Sequence, residues 1–117
     1  SMSPNDEFNF ISKLDNPQTK ICFDMGNSAS LGFDCTKVLN KIYPFLGSVH
    51  IKDRLKNGGT VPLGEGSVDF LTVFSILNKI KFSGPISFQA HRDKNSNNIE
   101  LLQSYLMFIN NIIGKAV

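Results

Sequence analysis

The sequence has only two cysteines, Cys22 and Cys35, and we expect no signal peptide ahead of them. We therefore expect free thiols in a reducing compartment, the cytoplasm, rather than a disulfide. No apolar run approaches the roughly twenty residues that cross a bilayer, so no membrane segment is predicted. The formal charge is only +2, and no basic stripe with interleaved aromatics is present, which argues against nucleic acid as a partner.

The composition is that of a folded protein. Apolar residues make up 41% of the 117 residues, and ten of them are phenylalanines, so the chain can bury a core. We expect a single domain over residues 1–117, with Ser1 and Met2 left from a tag ahead of the natural start.

Helical and strand patterns alternate along the chain. An N-terminal helix is predicted to open at Ser3 and to present Phe8, Ile11 and Leu14 before Asn16-Pro17 stops it. Strands are predicted over 20–24, 49–52 and 86–90, with loops over 25–31 and 53–67. The order α-β-α-β-α-β-α indicates parallel strands joined by right-handed crossovers.

The remaining helices are predicted from caps and apolar stripes. Asp34 can cap a helix with Val38, Leu39 and Ile42 on its apolar face. A second amphipathic helix is predicted over 68–80, and its apolar face consists of Phe70, Val73, Phe74, Leu77 and Ile80. The last helix opens with the capping-box pattern of Asn97 and Glu100. Its predicted apolar stripe is Ile99, Leu102, Leu106, Ile109 and Ile113.

Side chains alternate across a strand, so each predicted strand divides into two faces. One face is apolar in all three strands: Ile21, Phe23, Val49, Ile51, Ile86 and Phe88. The other face is polar: Cys22, Asp24, Ser48, His50, Lys52, Ser87, Gln89 and His91. A parallel sheet covered on both sides is expected to be apolar on both, and buried polar groups are costly unless they pair or bind a ligand. Since ligands of parallel α/β folds bind at the C-terminal ends of strands, a site is predicted there.

Each polar residue also has an ordinary structural interpretation. Asp24 can cap the segment after it, and His50 can be a hydrogen-bonded core histidine. Gln89 and His91 can be polar residues at a strand end, and the Lys52-Asp53-Arg54 run can be a solvated loop entrance. Together, however, a carboxylate, an imidazole and an amide would converge from neighbouring strands. Aspartate with histidine is a common ligand set for Mn, Mg, Co or Zn.

Three segments, in this order, resemble the sugar phosphate isomerase/epimerase family of xylose-isomerase-like TIM barrels. They are Phe23-Asp24-Met25-Gly26-Asn27, Val49-His50-Ile51-Lys52-Asp53-Arg54 and Val61-Pro62-Leu63-Gly64-Glu65-Gly66-Ser67-Val68-Asp69-Phe70. The resemblance covers nearly the whole chain but only the last three strands of an eight-stranded barrel. The expected fold class is therefore α/β, with three parallel strand–helix units forming a partial (β/α)8 TIM barrel.

The resemblance implies roles for individual residues. In that family a divalent metal is held by Glu, Asp, His and Glu from four strands, and two of the Glu residues exchange a proton beside the sugar carbonyl. Asp24 and His50 are similar to the family's aspartate and histidine ligands. Gln89 stands where the family has its second catalytic Glu, and it would be a third, weak ligand. Four residues would contact the substrate: Asn27, Lys52, Asp53 and Arg54.

Two departures from the family pattern bear on catalysis. The first catalytic Glu would lie on a strand preceding Ser1, and the amide of Gln89 cannot act as a base near neutral pH. We therefore expect a fragment of a divalent-metal-dependent sugar phosphate isomerase or epimerase, binding metal weakly and inactive on its own.

Two other functions are compatible with parts of the sequence pattern. One is a non-catalytic sugar- or metal-binding remnant that assembles with itself. The other, a metal-dependent apurinic endonuclease, predicts a basic face and more histidines than His50 and His91. We also expect a homo-oligomer, most simply a symmetric dimer, because three strands of a barrel leave two open edges and apolar helix flanks.

Overall fold

Three parallel strands form the main sheet, in the order in which the chain supplies them. The computed structural model describes residues 3, 5–6, 9–10, 13, 20–89 and 98–116. Its strands are β1 Ile21–Asp24, β2 Leu46–Ile51, β3 Asp53–Arg54, β4 Thr60–Val61 and β5 Ile86–Phe88. β2 lies between β1 and β5 and is parallel to both, while β3 and β4 form a separate antiparallel pair. The predicted α/β fold of parallel strand–helix units is confirmed.

Four helices follow in the same part of the chain: α1 Met25–Ser30, α2 Cys35–Ile42, α3 Phe70–Lys79 and α4 Asn98–Ala116. α1, α2 and α3 each begin after an aspartate whose carboxylate accepts backbone N–H groups: Asp24, Asp34 and Asp69. In the described residues, no helix has the length and apolar character needed to cross a bilayer.

The N-terminal cap agrees with the sequence pattern. Asp6 N donates to Ser3 Oγ at 3.2 Å, and residues 5–6, 9–10 and 13 are helical. The predicted stripe of Phe8, Ile11 and Leu14, and the stop at Asn16-Pro17, lie outside the described residues.

The core lies between the helices and the apolar face of the sheet. The strands contribute Ile21, Phe23, Val49 and Ile51, and the helices contribute Val38, Leu39, Ile42, Phe70, Val73, Phe74 and Leu77, all buried as predicted. Ile86 belongs to the same sheet face but is 44% exposed, because β5 is an edge strand.

The predicted apolar stripe of α4 is only partly buried. Of its five residues Ile109 is buried, while Ile99, Leu102, Leu106 and Ile113 are exposed. The helix instead packs on the core through Leu101, Tyr105, Phe108, Ile109 and Ile112. Because α4 is apolar around more than half of its circumference, spacing alone did not determine which face would be buried.

Two predicted loops contain regular structure. The segment 25–31, predicted as a loop from its glycine and serines, forms α1 because Asp24 caps it and the core buries Met25 at 1% exposure. The segment 53–67 contains the β3–β4 hairpin. Its turn is closed by Gly58 N donating to Leu55 O at 2.9 Å, with Asn57 at a φ of 55°.

Candidate functional site

The second face of the sheet is polar, and in the described part of the chain no helix covers it. Cys22 and Ser87 are exposed, and Ser48 is half-buried. Asp24 pairs with His50 across the β1–β2 ladder, and His50 pairs with Ser87 across β2–β5. Neighbouring strands lie about 4.8 Å apart, so the Asp24 carboxylate and the His50 imidazole project side by side. Both stand at the C-terminal ends of their strands, on the face that the alternation predicts.

Asp24 ends β1 and begins α1. Its Oδ1 accepts a hydrogen bond from Asn27 N at 2.8 Å, which is the helix-cap interaction. Among the described residues no hydrogen bond reaches its Oδ2. The cap interpretation is therefore correct for one of the two carboxylate oxygens.

Gln89 lies two residues beyond the register position of the Asp24–His50 pair. It follows β5, and its backbone N donates to Ile51 O at 2.9 Å. Alternation from Ser87 puts its side chain on the polar face, and that side chain is exposed. Asp24 and His50 are thus neighbours, whereas Gln89 stands two residues further along. His91, the other residue considered there, lies outside the described residues.

Lys52 follows β2 and packs against α1. A Cβ placed on Gly26 would lie 2.9 Å from Lys52 Cγ and 3.0 Å from its carbonyl carbon. This close approach seats the first turn of α1 directly on the end of β2. The half-buried Lys52 is therefore at the rim of the polar face.

Asp53 is fully buried, with 0% of its surface exposed. Its carboxylate accepts four backbone hydrogen bonds of 2.9 to 3.1 Å, from the N–H groups of Arg54, Gly64, Gly66 and Val68. It therefore organises the loop that follows β4. The carboxylate does not reach the solvent where a substrate would lie, so its contacts are those of a positioning residue.

Arg54 fastens the β3–β4 turn to α1. Its Nε and one terminal nitrogen donate to Gly58 O at 3.0 and 2.7 Å, and the other donates to Asn27 Oδ1 at 2.8 Å. Ser30 Oγ donates to the same Gly58 oxygen, and Asn57 N donates to Ser30 O at 2.8 Å. Two predicted substrate residues, Asn27 and Arg54, are thus held together. Sequence reasoning missed Ser30 and Gly58, although the Asn57-Gly58 turn signal was present.

A cleft of about 430 Å³ lies between α1 and the first turns of α2 and α3. Neither Asp24 nor His50 lines it. Burial, and then the charges of Asp69 and Asp34, raise the pKa of the Cys35 thiol on its wall, which keeps the thiol protonated at neutral pH. Asp69 is already bonded to Thr72 N and Thr72 Oγ1 at 3.1 and 2.7 Å. Since neither Asp24 nor His50 lines the cleft, the cleft is separate from the polar face at the strand ends.

The side chains at the strand ends include donors that suit a divalent metal, but too few of them for a complete site. A carboxylate and an imidazole, side by side, are donors that Mn, Co and Zn accept. Within the described residues, however, no three His, Cys, Asp or Glu side chains converge. The described residues thus offer two candidate ligands at the strand ends, fewer than the three or four protein ligands of an ordinary zinc site.

Known structures share this fold. A xylose isomerase domain protein from Planctomyces limnophilus is 25% identical, with a TM-score of 0.79 over 98% of this chain. An L-ribulose 3-epimerase is 18% identical, with a TM-score of 0.80 over 97% of the chain. A xylose isomerase-like TIM barrel protein from Mycobacterium smegmatis, solved with magnesium, is 18% identical, with a TM-score of 0.67 over 97%. The last two likenesses show the fold alone.

The chain spans less than half the length of these three structures, namely 45%, 42% and 40%. No curated protein matches it. The family model of the xylose isomerase-like TIM barrel matches residues 2–111, almost the whole chain. With three parallel strand–helix units and a polar face at the C-terminal strand ends, the chain belongs to the xylose isomerase-like TIM barrel family.

Proposed function

We propose that the chain supplies part of the metal- and sugar-binding site of a divalent-metal-dependent sugar phosphate isomerase or epimerase, and that it does not turn over sugar by itself. The observation that carries this proposal is the Asp24–His50 pair, in register at the C-terminal ends of neighbouring strands. Membership in the family supports the reaction class. The free thiols of Cys22 and Cys35 support a cytoplasmic location.

The residues around the pair have the chemistry to bind a sugar phosphate. Lys52 is a half-buried cation at the rim of the polar face. Arg54 is a second cation, bonded to Asn27 Oδ1, and the amide nitrogen of Asn27 can donate to hydroxyl groups. The metal, when bound, would polarise the sugar carbonyl and its neighbouring hydroxyl. Asp24 and His50 would hold it, and Lys52 would balance the charge of the phosphate.

Replacing Asp24 with asparagine is expected to weaken Mn²⁺ binding by about tenfold or more, since even outer-shell changes commonly cost about 10- to 100-fold. Asparagine is as good a helix cap as aspartate, so the hydrogen bond to Asn27 N and the stability of the fold should be kept. Calorimetric titration of the wild type and the variant measures the difference, with urea unfolding as the control. Unchanged Mn²⁺ affinity would refute the proposed ligand role.

A second candidate function is a non-catalytic metal- or sugar-binding remnant, and the amide of Gln89 favours it. Replacing Gln89 with glutamate separates the two functions. In an isomerase site the new carboxylate should tighten Mn²⁺ binding about tenfold and bring slow exchange of solvent deuterium into a ketose phosphate. In a remnant, sugar binding persists and no deuterium enters the sugar. Mass spectrometry of the recovered sugar gives the answer.

A further inference from the structure

The turn between β3 and β4 contains the pair Asn57-Gly58, the single Asn-Gly dipeptide of the sequence. In such a pair the glycine nitrogen can attack the side-chain amide carbon of the asparagine, because no side chain on the glycine hinders the approach. Asn57 is exposed, so water, the co-reactant of the subsequent hydrolysis, is available. The turn therefore carries the chemical groups needed for deamidation.

The backbone of the turn favours this reactive pair over others. Asn57 has a φ of 55°, in the left-handed region that asparagine tolerates better than most residues with a side chain. A Cβ on Gly58 would lie 2.9 Å from Leu55 Cβ, so a larger residue there would displace the turn. The fold thus favours a chemically labile dipeptide at this position.

The folded chain holds the turn on both sides of the Asn57–Gly58 peptide bond. Before it, Asn57 N donates to Ser30 O at 2.8 Å. At the bond, Gly58 N donates to Leu55 O at 2.9 Å, so the nitrogen that would attack is engaged. After it, Gly58 O accepts hydrogen bonds from Arg54 Nε, a terminal nitrogen of Arg54 and Ser30 Oγ at 3.0, 2.7 and 3.3 Å. Ring closure must rotate this peptide unit toward the Asn57 side chain, so these contacts oppose it.

We propose that Asn57 is a deamidation site that the hydrogen bonds from Arg54 to Gly58 O keep unreactive in the folded chain. When the turn opens, Gly58 N forms a bond to Asn57 Cγ and the Cγ–Nδ2 bond breaks. The proton of Gly58 N leaves with the amide nitrogen as ammonia. Water then adds to one carbonyl carbon of the cyclic imide and opens it to aspartate or isoaspartate. One water is consumed and one ammonia is released, and nothing is oxidised or reduced.

The two products leave the turn in different states. Aspartate also tolerates the left-handed region, so it fits the turn. Isoaspartate lengthens the main chain before Gly58 by one carbon, which takes Gly58 out of its contacts with Leu55 and Arg54. Because Arg54 also donates to Asn27 Oδ1 at 2.8 Å, we expect the isoaspartyl form to loosen α1 from the β3–β4 hairpin.

Mass spectrometry of peptides from the intact chain, incubated in mildly alkaline buffer, tests the proposal. Asn57 should deamidate about tenfold or more slowly in the folded chain than in urea, because the attack waits for local opening. In Arg54→Gln the folded chain should deamidate about tenfold or more faster than wild type, since two hydrogen bonds from a charged donor are lost. Circular dichroism shows whether the variant is folded.

Lys56→Gln is the matched control. It removes the same charge from an exposed residue next to Asn57, and among the described residues no hydrogen bond involves the Lys56 side chain, so the rate should not change. If Arg54→Gln is unfolded, Ser30→Ala takes its place, and the loss of one donor to Gly58 O should raise the rate about threefold. Equal rates in the folded and urea-unfolded wild type would overturn the proposal. So would a folded Arg54→Gln or, in its place, Ser30→Ala that reacts no faster than wild type, or an equal acceleration in Lys56→Gln.

Discussion

Replacing Asp53 with alanine is expected to lower the free energy of unfolding by about 4 kcal/mol, near the upper end for single substitutions. Four backbone N–H groups would lose their acceptor inside the protein, and hydrogen bonds to a charged group contribute about 1.5 to 3 kcal/mol each, though not additively. Urea unfolding followed by circular dichroism measures the change. Hydrogen exchange at Gly64 and Gly66 should become fast, because Asp53 holds both amides.

Asp34→Ala is the control for this prediction. Asp34 also accepts two backbone N–H groups, those of Thr36 and Lys37, but it is exposed. Water replaces the lost acceptor there, so the expected loss is about 1 kcal/mol, as for an ordinary helix cap. If the two variants were destabilised equally, burial of the Asp53 carboxylate would not be the cause of its effect.

Replacing Gly26 with valine is expected to lower the free energy of unfolding by about 2–3 kcal/mol and to weaken Mn²⁺ binding about tenfold. The new Cβ would lie 3.0 Å from the backbone carbonyl carbon of Lys52, which cannot rotate away as a side-chain end could. α1 must then move off the end of β2. Since α1 begins directly after Asp24, and Lys52 follows His50 by two residues, the movement separates the two proposed ligands. Urea unfolding and Mn²⁺ calorimetry measure both effects.

Gly59→Val provides the comparison, since a Cβ on Gly59 has no atom within 4 Å among the described residues. Its stability should change by less than about 0.5 kcal/mol, and its Mn²⁺ affinity should not change. Weak metal binding in Gly26→Val with normal stability would indicate a direct effect on the ligand rather than displacement of α1. Wild-type behaviour in both assays would show that the contact with Lys52 relaxes at no cost.

The polar strand ends were predictable because the two-residue alternation of a strand leaves little freedom. Once Phe23 and Val49 belong to the core, Asp24 and His50 must lie on the opposite face, and the ladder then brings them into register. The N-cap role of Asp34 was predictable for a similar reason, because a short polar side chain directly before an apolar helical stripe is a preferred N-cap.

Contacts distant in sequence account for what could not be predicted. Asp53 organises its loop by accepting hydrogen bonds from amides 11 to 15 residues later in the chain, and no local sequence pattern predicts such contacts. α1 contains glycine, asparagine and two serines, all poor helix formers, so tertiary packing of Met25 overrides its propensity. In α4 the exposed and buried apolar faces adjoin, and only the position of α3 decides between them.

The order of the strands in the sheet also has a consequence for how the protein is made. Because β1, β2 and β5 are neighbours in the order of synthesis, each strand can dock on the one before it as the ribosome releases it. Each pairing still waits for the crossover segment between the two strands, because parallel neighbours cannot be joined by a tight turn, and such non-local pairing is slow. The most recently completed strand always borders the unfinished side. A nascent chain therefore exposes one unpaired strand edge after another on this side of the sheet. Among the described strands, β5 is the last to do so.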